Sequence, residues 1–192
     1  MNRSLRPAVF VDKDGTLVEN VPYNVDPALV RFENGALAAL AALATAGFSI
    51  AIVTNQSGLA RGYFSLQAFE ALRDVLQRRL RDEAGVEVVG LYFCPHAPDA
   101  HGGPVCLCRK PMPGLLQRAA IEHRLDMNQS WMVGDTLDDV EAGRRAGCRS
   151  IPYDSGGETV WRSAPLRLPH ARVSSWDQVV QTILDEAEVG CA

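Results

Sequence analysis

The stretch AVFVDKDGT, residues 8–16, places four apolar residues directly before two aspartates, Asp12 and Asp14, and then a glycine. A short apolar run rich in valine fits a buried strand, and the acid that follows marks its carboxyl end. In extended backbone, residues two apart project to one side, so Asp12 and Asp14 face the same way. Gly15 permits a sharp turn immediately afterwards. A solvated turn uses the same residue types, so the pattern is not decisive alone. Its place just after an apolar strand makes it a candidate site.

Outward from this strand, strand-like and helix-like runs alternate. NGALAALAALATAG (34–47) is Ala- and Leu-rich and closes on Gly47, as a helix ending on glycine does. FSIAIVT (48–54) is short, apolar and β-branched, a buried strand. SLQAFEALRDVLQRRLRDEAG (65–85) reads as a long amphipathic helix with Ser65 as N-cap and Gly85 after its end. VEVVGLYF (86–93) is a third strand, PGLLQRAAIEHRL (113–125) a helix and SWMVGD (130–135) a strand. LDDVEAGRRAG (137–147) is a helix, CRSIPY (148–153) the last strand and WDQVVQTILDEAE (176–188) a closing helix. This alternation predicts an α/β fold, a doubly wound parallel sheet with helices on both faces. Ligands bind such sheets at the carboxyl ends of the strands.

The 192 residues suit one domain spanning 1–192, with a hydrophobic fraction of 47% and no repeat or low-complexity tract. That length can bury a full core without staples. A net charge of −4 argues against nucleic acid or an anionic membrane as partner, but not against a small phosphorylated molecule in a local pocket. An aspartate interrupts the N-terminal segment before an apolar signal region can develop, so no signal peptide is expected. Residues 34–60 carry no charge, yet they divide into a helix and a strand rather than one membrane span. Five cysteines is an odd count, and a cytoplasmic, reduced monomer is expected, with clustered cysteines pointing to metal before disulfide.

The other strand ends also carry polar residues. VTNQSG delivers Thr54, Asn55, Gln56 and Ser57, which can donate to phosphate oxygens; a polar turn capping a helix has the same look. CRKPMPG holds Lys110 between a cluster of cysteines and two prolines that stiffen the loop before a helix. A lysine there can neutralise a phosphoryl group, or simply sit in solvent at the helix entry. VGDTLDD ends a strand on Asp135, a candidate ligand for a hard cation such as Mg²⁺. Asp138 and Asp139 follow in the first helical turn, where the helix dipole alone accounts for them.

FCPHAPDAHGGPVCLCRK (93–110) packs three cysteines and two histidines into one loop. Cys94, His96, Cys106 and Cys108 supply three sulfurs and one nitrogen for a closed, structural tetrahedral Zn²⁺ site in a loop at 94–108. A reducible disulfide pair and scattered free thiols compete with that reading, and His101 is an alternative ligand. Cys148 reads as a small buried residue and Cys191 as a tail thiol.

The order D-x-D-G-T, strand-end Thr, Lys before a helix and G-D-x-x-x-D resembles the four motifs of haloacid-dehalogenase (HAD)-type phosphatases, across nearly all of residues 8–153. That resemblance implies a HAD-like Rossmannoid fold with a minimal cap. It implies Asp12 as nucleophile forming an aspartyl-phosphate, Asp14 as general acid and then base, and Thr54 and Lys110 as holders of the phosphoryl oxygens. It places Mg²⁺ on the Asp12 and Asp135 carboxylates and the Asp14 main-chain carbonyl.

TNQSGLARG, CPH…CLCRKPxPG and GDxxxD are similar to the heptose bisphosphate phosphatases, which remove the 7-phosphate of D-glycero-D-manno-heptose 1,7-bisphosphate on the way to surface polysaccharide. Histidinol-phosphate phosphatase shares the cysteine stretch and is the alternative; Ser57 and the Ala60-Arg61-Gly62 continuation favour the heptose family. A non-enzymatic zinc-binding module is the rival class, opposed by the sequence-distant acid and lysine set. Asn20 and Tyr23 fall in the family's substrate-contacting segment, and Asn55, Gln56, Ser57, Arg61 and Arg109 join them as substrate-binding candidates. Thr136 stands where the family has Lys or Arg against substrate phosphate. Either Arg61 or a cation from residues 144–149 substitutes there, or the distal phosphate is held weakly or is absent.

Overall fold

The computed structural model describes residues 5–156, 162 and 164–189. Successive residues of β1 (Ala8–Val11) pack into two different cores. Val9 and Val11 join a cluster with Leu40, Leu43, Leu76 and Ile183, while Ala8 and Phe10 join one with Leu115, Leu116 and Met132. A strand buried on both faces is apolar throughout, which explains why this run does not alternate with polar residues.

β1 is the central strand of a five-stranded parallel sheet with β2 (Ser49–Asn55), β3 (Gly90–Cys94), β4 (Trp131–Gly134) and β5 (Arg149–Pro152), in the order β3-β2-β1-β4-β5. Helices α1 (Ala36–Thr45), α2 (Leu66–Ala84) and α5 (Trp176–Val189) contribute to the first core. Helices α3 (Gly114–His123) and α4 (Leu137–Ala146) contribute to the second. The chain builds outward from β1 through β2 to β3, then crosses back to β4 and β5. The direction of winding therefore reverses between β1 and β4, where open α/β sheets form their ligand crevice. Asp12 follows β1 and Asp135 follows β4 at that crevice. The Asp12 N–H donates to Val133 O at 2.9 Å, holding the two strand ends together.

The uncharged run from 34 to 60 is a helix followed by a strand, and among the described residues no helix is long and apolar enough to cross a membrane. α2 starts and stops where its caps predict. Ser65 accepts from the Ala68 N–H at 3.1 Å, and Gly85 at φ 66° closes the last turn. Losing the Ser65 hydroxyl would cost about 1 kcal/mol.

The third strand is shorter than its apolar pattern predicts. Pairing with β2 starts at Gly90 opposite Ala51, so residues 86–88 have no ladder to join. Val86 instead donates to Leu80 O and buries its side chain behind the end of α2.

The insertion after β1 is a short flap rather than a cap domain. Val18 bridges Phe32 in antiparallel register, and Arg79 of α2 donates to Val30 O at 3.0 Å while lying over the Phe32 ring. At the other end of the chain, the fully buried Trp176 donates its indole N–H to Thr16 O at 3.1 Å, tying α5 to the turn after β1. Cys148 is buried, which pushes its thiol up to about 12, while Cys191 lies outside the described residues.

Candidate active site

Asp12, Lys110 and Asp139 meet beneath the crevice, although they come from three separate parts of the chain. Lys110 Nζ lies 2.5 Å from Asp12 Oδ1, 2.6 Å from Asp139 Oδ1 and 3.1 Å from Val53 O. All three side chains are buried. Burial alone would lower the Lys110 ammonium, but the carboxylates of Asp12 and Asp139 outweigh it and hold it well above its ordinary value. Asp12 is raised to about 8, chiefly by burial and further by Asp139, Asp135 and Asp14, against the opposing pull of Lys110. Asp135 is raised to about 7 by burial and then by Asp139.

Those shifts express a charge imbalance. One lysine faces three carboxylates, Asp12, Asp135 and Asp139, whose oxygens lie within 4.8 Å of one another. Asp139 is already engaged, with Oδ1 on Lys110 and Oδ2 accepting from Thr136 Oγ1 at 2.6 Å and the Thr136 N–H at 3.1 Å. Asp12, which shares Lys110 through Oδ1, and Asp135 present a desolvated pair of hard oxygen donors, which fits Mg²⁺. Gly15 makes this approach possible: at φ 79°, a Cβ there would stand 2.4 Å from Asp135 Oδ2.

The side chains at the end of β2 turn inward. Gln56 Nε2 donates to Thr54 Oγ1 at 2.9 Å and to Asp14 Oδ2 at 3.0 Å. Asn55 brackets the main chain of Lys110, accepting from its N–H at 3.0 Å and donating to its carbonyl at 3.1 Å. Asn55, Gln56 and Thr136, expected to meet substrate, thus hold Lys110, Asp14 and Asp139 respectively. Ser57 is half-buried, and its carbonyl accepts from the Arg61 N–H at 3.1 Å in a turn that leaves Arg61 exposed. Asn20 is exposed on the flap. Tyr23, at φ 57°, sets its ring edge-on to Tyr63 at 4.7 Å.

The expected substitute cation from residues 144–149 does not reach this place. Helix α4 runs away from the crevice, so its last turn lies at the amino ends of the strands. There Arg145 pairs with Glu141 at 2.7 Å, and Arg149 opens β5 beside Trp131, the first residue of β4. Arg109 folds back to donate from Nη1 to His96 O at 3.2 Å.

Sequence reasoning missed two members of the site. Asp139 reads as a dipole partner from its helix position, yet it is 1% exposed. It shares a face with the small, buried Ala142 and Gly143, and a charge on such a face points to a partner. Lys13, only 4% exposed, pairs with Asp14 Oδ1. Its position between two acids was the signal.

Cys94, His96, Cys106 and Cys108 converge at the end of β3. Cys108 Sγ lies 3.3 Å from both Cys94 Sγ and Cys106 Sγ and 3.4 Å from His96 Nδ1; Cys94 Sγ lies 3.6 Å from Cys106 Sγ and 3.5 Å from His96 Nδ1. These are near the edges of a tetrahedron with Zn–S bonds of about 2.3 Å, and far beyond a disulfide bond of about 2.05 Å. Burial pushes the Cys94 thiol up. At Cys106 burial opposes ionisation, but the Cys108 thiol and the Arg109 N–H outweigh it and draw the group down to about 7. The Arg109 N–H to Cys106 Sγ contact of 3.3 Å is a typical support for a metal thiolate. His101 is not in the cluster; its N–H caps Asp99. The loop is locked to α3 by Gly114, which donates to Leu107 O at 2.9 Å and leaves no room for a Cβ.

Known proteins resemble this chain in sequence and in fold. A family model described as HAD-hyrolase-like matches residues 107–176. The D,D-heptose 1,7-bisphosphate phosphatase of B. bronchiseptica, solved with magnesium and phosphate, superposes with a TM-score of 0.79 at 32% identity, covering 94% of this chain and 99% of that one. The D-glycero-beta-D-manno-heptose-1,7-bisphosphate 7-phosphatase of Escherichia coli (strain K12) is 41% identical over 93% of this chain and 91% of its own. Its namesake from Helicobacter pylori (strain J99) is 36% identical over 89% and 90%. Similarity of that degree over nearly the full length of both partners means that the chain belongs to the D-glycero-beta-D-manno-heptose-1,7-bisphosphate 7-phosphatase family.

Proposed function

We propose that the chain is a Mg²⁺-dependent phosphatase that removes the 7-phosphate of D-glycero-D-manno-heptose 1,7-bisphosphate. The observation that carries this reading is the buried Lys110 bridging Asp12 and Asp139, with Asp135 alongside, at the crevice between β1 and β4. Asp12 is the nucleophile: its carboxylate attacks phosphorus, and the sugar oxygen leaves. Asp14 gives that oxygen a proton, then takes one from the water that hydrolyses the aspartyl-phosphate. Lys110 and Thr54 hold the phosphoryl oxygens, and Asp139 keeps Lys110 charged and aimed. Mg²⁺, held by Asp12, Asp135 and the Asp14 carbonyl, supplies positive charge that offsets the charge spread over the phosphoryl group. Zn²⁺ on the four-residue cluster would be structural and, because Cys108 precedes Arg109 and Lys110, would fix where they lie.

Arg61 and Arg109 are the proposed contacts for the second phosphate, with Tyr23, Asn20 and Ser57 at the rim. Residues 1–192 act as a single domain, and the enzyme works as a monomer on a small molecule without nucleic acid or membrane. A cluster of cysteines that ligate metal rather than pair in disulfides supports a reducing, cytoplasmic setting. The test is phosphate release from both anomers of the heptose bisphosphate beside histidinol phosphate. Preference for histidinol phosphate would assign the chain to the alternative substrate.

A further inference from the structure

We propose that Lys13 and Gln56 together form a clamp that fixes the direction of the Asp14 carboxylate, making Lys13 a positioning residue for leaving-group protonation. The proposal rests on the phosphatase reading above. Asp14 is the more exposed of the paired acids, with 28% of its side chain accessible. Nothing in its own short side chain would keep one oxygen aimed at a leaving group. The two donors do so: Lys13 Nζ engages Oδ1, and Gln56 Nε2 donates to Oδ2 at 3.0 Å.

Both donors are themselves immobilised. Lys13 is 4% exposed, and Lys13, Asp14, Val18, Leu72 and Leu76 line a narrow crevice beneath the flap. Its aliphatic stem therefore packs while its ammonium serves the acid. Its carbonyl accepts from the Leu17 and Val18 N–H groups at 3.1 and 2.9 Å, so the turn fixes its backbone as well. Gln56 is 6% exposed, and its amide also donates to Thr54 Oγ1 at 2.9 Å. The clamp thus links the proposed proton donor to a proposed phosphoryl-binding hydroxyl through one amide, and keeps their spacing constant. A buried lysine has a large desolvation cost without such a partner, which a core position alone would not justify.

The clamp makes a prediction that a role in stability alone does not. Proton donation matters for an alkyl leaving group and little for p-nitrophenolate, which departs without help. Lys13→Met and Gln56→Leu are compared with wild type on the heptose bisphosphate, or on any sugar monophosphate that wild type hydrolyses, and on p-nitrophenyl phosphate. The expected result is a fall in kcat of about tenfold or more on the sugar ester and a several-fold smaller fall on the aryl ester. Lys13→Arg should recover most of the sugar-ester rate. Turnover of the aryl ester by the same sample shows that the variant is folded. Equal losses on both esters, or none on either, would overturn the clamp. A wild-type protein inactive on every ester would instead defeat the phosphatase reading itself.

Discussion

Lys110 Nζ and Asp139 Oδ1 lie 2.6 Å apart, both buried, and the same ammonium reaches Asp12 at 2.5 Å. Asp139 therefore sets the position of a cation that serves the nucleophile. Asp139→Asn keeps the shape and removes the charge. The expected outcome is a loss of about a hundredfold in kcat with little change in KM, together with a lower Tm. Wild-type kcat in this variant would remove Asp139 from the machinery.

The cysteine cluster should carry one zinc per chain. Cys108→Ser should lose it and lower the Tm, and phosphate release should fall because Arg109 and Lys110 follow directly in the chain. Elemental analysis checks this; wild-type protein purified without chelator and found free of zinc would contradict it.

The acid cluster predicts an interplay of pH and magnesium. Asp12 rises from an ordinary 3.8 to about 8 in the folded chain, and Asp135 to about 7. A carboxyl raised by folding contributes stability below its unfolded value and loses it as pH climbs through its folded value. Metal-free protein should therefore lose stability between about pH 4 and 8 through these groups. Mg²⁺ binds the ionised forms, so its stabilising shift in Tm should be larger at pH 8 than at pH 6. Thermal melts with and without Mg²⁺ measure this, and an equal shift at both pH values would contradict it.

Thr136→Lys tests the missing family cation. The new ammonium should lower KM for the bisphosphate and not for a monophosphate. Because the Thr136 hydroxyl donates to Asp139 at 2.6 Å, kcat should fall at the same time. An unchanged bisphosphate KM would show that another cation already meets the second phosphate.

Much of this was legible in the sequence because it rests on local chemistry. Ser65 and Gly85 cap α2 through groups no more than a few residues away, and the apolar run 8–11, too short for a helix, fits a buried strand. The strand-end positions of Asp12, Thr54 and Asp135 followed from the alternation of elements. The partners of Asn55, Gln56 and Asp139 were not legible, because they are set by long-range packing: a side-chain amide looks alike whether it faces substrate or Lys110. Residues 86–88 misled for a related reason. Valines at 86 and 88 signal burial, and packing of Val86 behind a helix end satisfies that as well as a ladder does.

The most direct measurement is 31P NMR of the heptose 1,7-bisphosphate reaction with Mg²⁺, run with wild type and Asp12→Asn. The expected result is loss of the 7-phosphate resonance with the 1-phosphate retained in wild type, and no reaction in the variant. Release of the 1-phosphate, or continued turnover by Asp12→Asn, would contradict it.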